Sequence, residues 1–144
     1  MKIRIFSRSI ILMCFLALTA SANGKSDLQK YFNDTAVKVK ATEIPAEKRA
    51  ILSGSLRTMS SALEMVQRSA SMSNDDRAGI DRIATSIKEK QDELAGSNGF
   101  TRIADAQLNL VADYVVQDME QADQMVSISV VTLLLILIIV ILLF

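Results

Sequence analysis

Few side chains in this sequence are equipped for catalysis or for binding a metal ion. The chain of 144 residues contains no His and a single Cys, Cys14. Imidazole is the commonest general base and a very common metal ligand, so both roles lack their usual side chain here. Asp and Glu can transfer protons, but the sequence indicates no cleft or electrophile beside them. We therefore predict a non-enzymatic protein with no catalytic residue, no cofactor and no small-molecule substrate.

One acidic group has the residue types of a cation site. Asn74, Asp75 and Asp76 directly follow Ser73. A calcium loop places its oxygen ligands at alternating positions over about 12 residues and ends on a Glu, and that pattern is absent here. Ser at the cap position and acids in the first turn are, by contrast, favoured at a helix N-terminus. We expect helix capping at this position rather than metal binding.

Three methionines, Met59, Met65 and Met72, recur along one predicted helix. Thioether sulfur binds copper, and a Met-rich face can also form an adaptable binding surface. Burial explains these residues more simply, because Met59 falls on the apolar seam of the helix. Met65 and Met72 are expected together on a neighbouring face of the same helix. The sequence therefore predicts no metal site.

A polar stripe is the best candidate for contact with another protein. It consists of Asp113, Gln117, Glu120 and Gln124, which follow one another at intervals of four, three and four residues. This spacing places them on one face of a helix. The stripe is either a solvated face or a docking surface for a basic partner near the membrane. We retain the four residues as candidate partner-contact residues.

Two apolar segments enclose the part of the chain that carries these residues. Residues 1–22 have the organisation of a secretory signal peptide, in which three basic residues precede a short apolar stretch. Ala20-Ser21-Ala22 then supplies the small residues that signal peptidase requires. Cleavage there would remove Cys14 and leave a mature chain without a thiol. The alternative is that the segment is retained as a second anchor.

The C-terminal segment predicts a membrane anchor. Residues 126–144 number 19 and include no charged side chain. As a helix they would extend about 28 Å, close to the ~30 Å hydrocarbon core of a bilayer. We expect one C-terminal transmembrane helix, with residues 23–125 outside the cytoplasm. The chain would then be a single-pass membrane protein, on the periplasmic side of the inner membrane if it is bacterial.

The formal charge is zero only because unlike parts cancel. The sequence has 16 basic and 16 acidic residues, and three of the basic residues lie in residues 1–22. Removal of the signal peptide would leave a net charge of about −3. The sequence lacks the basic stretches with interleaved aromatic residues that predict nucleic-acid binding.

Residues 23–125 have helical periodicity throughout. The clearest pattern has apolar residues spaced by four and three, as in a coiled coil. It comprises Leu52, Leu56, Met59, Leu63, Val66 and Ala70. A first helix is expected at about 26–42, before Ile44-Pro45. A third follows Ser73 and ends at Gly96, with Ile80, Ile83, Ile87 and Leu94 on its inner face.

The last predicted helix is unusually long. No Gly or Pro occurs from Thr101 to the end of the sequence. We therefore expect one continuous helix of about 43 residues, roughly 65 Å long, that passes from the bundle into the bilayer. The predicted fold is all-α: a small up-down bundle whose long last helix continues into a single transmembrane helix.

Two functions fit this organisation. The first is a non-enzymatic, membrane-anchored protein that acts by protein–protein contact or self-association, in envelope assembly or organisation. The alternative is a sensory or regulatory module, in which a ligand or partner signal reaches another membrane protein through the stalk helix.

Overall fold

The computed structural model describes residues 24–68, 72–125 and 130–143. These residues form helices and no strand, which confirms the all-helical prediction. The five α-helices are α1 (Gly24–Ala41), α2 (Pro45–Gln67), α3 (Asn74–Ala95), α4 (Leu108–Met125) and α5 (Val130–Leu143), with a 3₁₀ turn at Asp105–Gln107. The predicted signal peptide, its Cys14 and the seam residue Ala70 lie outside the described residues.

Helices α1 to α4 form an up-down bundle. Helix α2 packs against α1 and α3, and α4 packs against α1 and, less extensively, α2 and α3. An ion pair between Lys40 and Asp113 joins the end of α1 to the start of α4. Arg49, near the start of α2, bonds the carbonyl oxygen of Leu94 at the end of α3. These contacts place α1 antiparallel to α4 and α2 antiparallel to α3, the latter as the short connection between them predicts.

The heptad-like seam of α2 lies at the centre of the bundle. All five of its residues within the described range are buried: Leu52, Leu56, Met59, Leu63 and Val66. The same core contains apolar side chains of the other helices, namely Phe32, Ala36, Val39, Ile80, Ile87, Leu94, Leu108, Val111 and Val115. The spacing of apolar residues thus identified the buried face of α2 correctly.

Local sequence signals explain where the helices begin and end. Ile44 has extended backbone angles, and Pro45 occupies the first position of α2, where its missing N–H is not needed. The Ser73 hydroxyl accepts a hydrogen bond of 3.1 Å from the Asp76 amide at the start of α3, which confirms the predicted cap. Gly96 ends α3 with φ +70°, in the left-handed region that favours glycine.

The prediction of one continuous final helix is wrong, first because the helix starts later than expected. Helix α4 begins at Leu108 and not at Thr101: residues 101–104 have no regular secondary structure, and the 3₁₀ turn Asp105–Gln107 follows them. The Ile103 amide bonds the Glu93 carbonyl oxygen at 3.2 Å, which holds this loop against the end of α3.

The C-terminal helix is not a straight continuation of α4. Helix α5 packs against α1 and α2, and its Val140 and Ile141 lie beside Tyr31 and Lys38 of α1. A straight continuation of α4 would instead run past the N-terminal end of α1. Within the described ranges, no helix combines the length and the apolar character required to cross a membrane.

Candidate interaction surfaces

Helix α5 presents apolar side chains both to the bundle and to solvent. Ile136 and Val140, four residues apart, are 1% and 2% exposed and belong to the core. Other side chains of the same helix are exposed, and Leu142 reaches 73%. The described sequence of α5, VVTLLLILIIVILL, has no polar face that could turn toward water. Packing on the bundle therefore buries one side of α5 and leaves an apolar surface uncovered.

The groove between α1 and α2 receives α5. A cavity of about 270 Å³ lies between α1 and α5, and it is lined by Tyr31, Asp34, Thr35, Lys38, Val140 and Ile141. The cavity is open to solvent. Aliphatic side chains of α5 therefore face a groove wall that carries two hydroxyl groups.

The hydroxyl groups of this wall are bonded within the groove. The Tyr31 hydroxyl donates to the Ser55 carbonyl oxygen at 3.2 Å. The Thr35 hydroxyl donates to the Tyr31 carbonyl oxygen at 3.0 Å and lies 3.1 Å from the Ser55 hydroxyl. Burial raises the pKa of Tyr31, so its hydroxyl stays protonated and able to donate. None of these bonds involves α5, which contributes apolar contacts at this place.

The predicted polar stripe is only partly free. Asp113 is half-buried and forms an ion pair with Lys40 of α1, so it stabilises the bundle. Gln117 and Glu120 are exposed on α4, while the side chain of Gln124 lies outside the described residues. The structure brings Asp113 to the α1–α4 contact and leaves Gln117 and Glu120 accessible. Their role in partner contact stays a prediction.

Lys90 joins α3 to α4 beside this stripe. Its ammonium group lies 3.4 Å from the Asp118 carboxylate and 3.2 Å from that of Glu93. Partial burial is the largest single influence and lowers the pKa of Lys90, but the two carboxylates together outweigh it and raise that pKa. The ion pair between Lys90 and Asp118 thus connects α3 to α4.

Arg49 is the main polar connection that sequence reasoning missed. Its guanidinium group donates to the carbonyl oxygens of Leu94 at 2.6 Å and Ile103 at 2.7 Å. It also pairs with the Asp105 carboxylate at 2.7 Å and thereby lowers the pKa of that carboxyl. One side chain of α2 therefore connects the end of α3 to Ile103 and Asp105 in the segment before α4. No local pattern signals it, because its partners lie 45 or more residues away in sequence.

The turn after α3 has a second polar centre at Asp92. A hydrogen bond from Asn98, supported by bonds from Ser97 and Lys88, lowers the pKa of Asp92. The Asp92 carbonyl oxygen also accepts the amides of Gly96 and Ser97 at 2.8 and 3.0 Å. The loop between α3 and α4 is thus fixed at several points.

The acidic residues and methionines considered above as metal ligands lie in the first turn of α3, in α2 and just after α2. Asp75 is exposed and Asp76 is buried in the first turn of α3. Met59 is buried in the core and Met65 is exposed. Met72 lies after the end of α2, so the prediction that Met65 and Met72 share a helix face is wrong. Among the described residues, no three acidic, His or Cys side chains are grouped to hold a metal ion.

Two surfaces among the described residues are candidates for interaction: the outer side of α5 and the exposed part of α4. No protein-family model, curated protein or solved structure matches the chain.

Proposed function

We propose that this protein is a membrane-anchored helical module without enzyme activity, which acts by protein–protein contact at the outer face of the membrane in envelope assembly or organisation. The observation that carries the proposal is the uncovered apolar side of α5, where Leu142 is 73% exposed. A surface of this kind calls for lipid or protein to cover it. The charge-free sequence of residues 126–144 favours lipid.

A comparison of free energies supports the bilayer as the place of this segment. Sixteen of the 19 residues in 126–144 are Val, Ile, Leu or Phe. At about 0.3–0.6 kcal/mol each, insertion of such residues is favourable by roughly 5–10 kcal/mol in total. Packing on the bundle fully buries Ile136 and Val140, and each such burial contributes about 1.5–3 kcal/mol. Together these two burials contribute about 3–6 kcal/mol, which overlaps the insertion range, so the preference for the bilayer rests on its also covering the side chains that the bundle leaves exposed.

The signal-like segment 1–22 would direct the bundle out of the cytoplasm, and the C-terminal segment would hold it at the membrane surface. The exposed part of α4 is then available to another protein. Leu110 and Tyr114, four residues apart, are both 48% exposed there, next to the polar residues Gln117 and Glu120. Exposed aromatic and apolar side chains beside polar ones are typical of contact surfaces.

The alternative function, in which a stalk helix transmits a signal, has less support. It relied on one rigid helix running from Thr101 through the membrane. In the structure α4 begins only at Leu108, so the helical path is interrupted between Thr101 and that residue.

Membrane attachment can be tested in cells by reporter fusions at both ends of residues 23–125, the mass of the mature protein, and extraction with alkaline carbonate. We expect loss of residues 1–22, a reporter signal outside the cytoplasm, and retention in the membrane pellet. The double variant Leu135→Arg/Ile138→Arg should release the protein, because a charged residue at the centre of a spanning helix costs about 2.5–3.5 kcal/mol.

The matched control is Leu110→Arg/Tyr114→Arg, which introduces the same charges on α4 and should stay in the pellet. Extraction of the wild-type chain by carbonate would refute the anchor. Protein contact is tested separately by cross-linking in intact cells, where the α4 variant should lose the cross-linked species. A protein that cross-links to nothing would contradict the contact function.

A further inference from the structure

Several exposed apolar side chains of the bundle lie around one ion pair. Lys40 of α1 pairs with Asp113 of α4, and the two side chains remain 46% and 44% exposed. Four large apolar side chains within four residues of this pair are between 48% and 65% exposed: Val37, Ile44, Leu110 and Tyr114. We name these four residues, together with Lys40 and Asp113, the α1–α4 patch. Exposed apolar side chains grouped in this way mark a contact surface.

Contacts between the helices bring the members of the patch together. The ion pair joins the last turn of α1 to the second turn of α4. Lys48, one turn after Ile44, donates a hydrogen bond of 2.7 Å to the Asn109 side chain, next to Leu110. Val37 lies one turn before the α1 member of the ion pair, on the same side of the helix. The apolar side chains therefore surround the ion pair.

The charges of the patch favour a second copy of this chain as its occupant. The ion pair supplies one ammonium and one carboxylate group, which match neither a uniformly basic nor a uniformly acidic partner. The patch matches itself, because a twofold axis brings Lys40 of one copy opposite Asp113 of the other, and the reverse contact follows by symmetry. Lipid fits less well, because Tyr114 lies about 17 Å along α4 from Met125, beside which the proposed anchor begins.

We propose that the α1–α4 patch joins two copies of this chain in a symmetric dimer. This inference rests on the proposed contact function and names its partner. Lys40 and Asp113 lie at one level of the bundle. A twofold axis along the helices therefore places α1 of one copy beside α4 of the other with the exchanged charges at that same level. An axis of this direction lets two copies stand side by side in one bilayer.

The size of the patch predicts a dimer that depends on anchoring. A stable interface buries about 800 Å² on each partner, which is more than four partly exposed side chains supply. Copies held in one bilayer have a high effective concentration, and this compensates for a small interface. We therefore expect weak association in water and clear association in the membrane.

Exchange of charges between two differently tagged copies tests the dimer in cells. Lys40→Asp and Asp113→Lys each place like charges at the proposed contact, so each variant should capture its own second copy at least fivefold less than wild type does. Coexpression of the two variants brings unlike charges together across the interface and should restore capture to within twofold of wild type. The matched controls Arg68→Asp and Glu64→Lys, at an exposed ion pair on α2, should each associate as wild type does.

Both charge variants also lose the ion pair within the chain, so this effect is measured separately. Circular dichroism of the full chain should show a Tm within about 4 °C of wild type, because a half-exposed pair contributes little to stability. The double variant Lys40→Asp/Asp113→Lys reverses the pair within each chain and should capture its own copy as wild type does. A role only within the chain predicts recovery in the double variant but none in the coexpressed single variants.

The outcomes separate this inference from the proposed function. If carbonate extracts the wild-type chain, the anchor fails, and a monomer in sedimentation equilibrium at high protein concentration would then overturn the dimer as well. If the wild-type chain captures no second copy but cross-links to another protein, the contact function stands and the dimer is refuted. If the charge variants capture their own copies as well as wild type does, the α1–α4 patch is not the contact. If the coexpressed variants stay apart, exchange of the ion pairs across the twofold axis is refuted.

Discussion

Replacement by Ala should destabilise the protein at Gly96 and stabilise it at Gly54. Gly96 has φ +70°, and a Cβ atom built there would lie 2.6 Å from Cβ and 2.8 Å from the backbone nitrogen of Arg102. Ala in the left-handed region costs about 1–2 kcal/mol, and relief of the contact requires movement of backbone that Arg49 holds in place. We expect Gly96→Ala to lower the free energy of unfolding by at least ~2 kcal/mol.

Gly54 is the matched control in the interior of α2. A Cβ atom built there would meet no atom within 4 Å. Because Ala loses less conformational entropy than Gly in a helix, Gly54→Ala should raise the free energy of unfolding by about 0.5–1 kcal/mol.

Thermal unfolding of the full chain in a mild detergent, followed by far-UV circular dichroism, measures both variants. At roughly 4–8 °C per kcal/mol, Tm should fall by about 8 °C or more for Gly96→Ala and rise by about 2–8 °C for Gly54→Ala. Equal shifts in one direction, or a Tm for Gly96→Ala within a degree of wild type, would show that the turn after α3 is not fixed as described.

Three further substitutions test the polar contacts. Arg49→Met should lower the free energy of unfolding by about 2–4 kcal/mol, because it removes the donor to two carbonyl oxygens. The control Arg57→Met, on the exposed side of α2, should change it by less than about 0.5 kcal/mol. Urea unfolding measures both variants, and equal effects would contradict the role of Arg49. The folded-state pKa of Asp92 lies below the ordinary value of 3.8, so its contribution to stability is complete above that value and is lost as the pH falls through the lowered pKa. Asp92→Asn should therefore show a smaller fall of Tm with decreasing pH below about pH 4 than the wild type does. An equal fall of Tm in both proteins would contradict this role of Asp92. Thr35→Val should cost about 1 kcal/mol in chemical denaturation by removing the hydroxyl that meets Ser55, and a stabilised variant would contradict that bond.

Local sequence patterns were sufficient to predict the helices of the bundle and most of its buried residues. The seam from Leu52 to Val66 predicted the buried face of α2, and Ser73 and Gly96 predicted the ends of α3. These signals are local. A capping residue bonds amides within the next few residues, and the spacing of apolar residues within one helix shows which of its faces is buried. Ile83, expected on the inner face of α3, is only partly buried against the core.

Contacts between distant parts of the chain could not be predicted from the sequence. The ion pair of Lys40 with Asp113 removes one member from the polar stripe, and Arg49 reaches Asp105 across 56 residues. The absence of Gly and Pro after Thr101 permits a helix but does not require one. Tertiary hydrogen bonds at Ile103 instead hold that stretch in a loop.

The C-terminal segment shows why the packing of a helix cannot always be predicted from its own sequence. Amphipathic helices reveal their partner side through the alternation of polar and apolar residues, whereas α5 is apolar all round and has no preferred side in its sequence. The packing of Ile136 and Val140 follows from the shape of the α1–α2 groove, a property of other segments. The same uniform composition that suits a bilayer also suits any apolar groove of the right width. The sequence of α5 alone therefore does not determine which of these surroundings the helix takes.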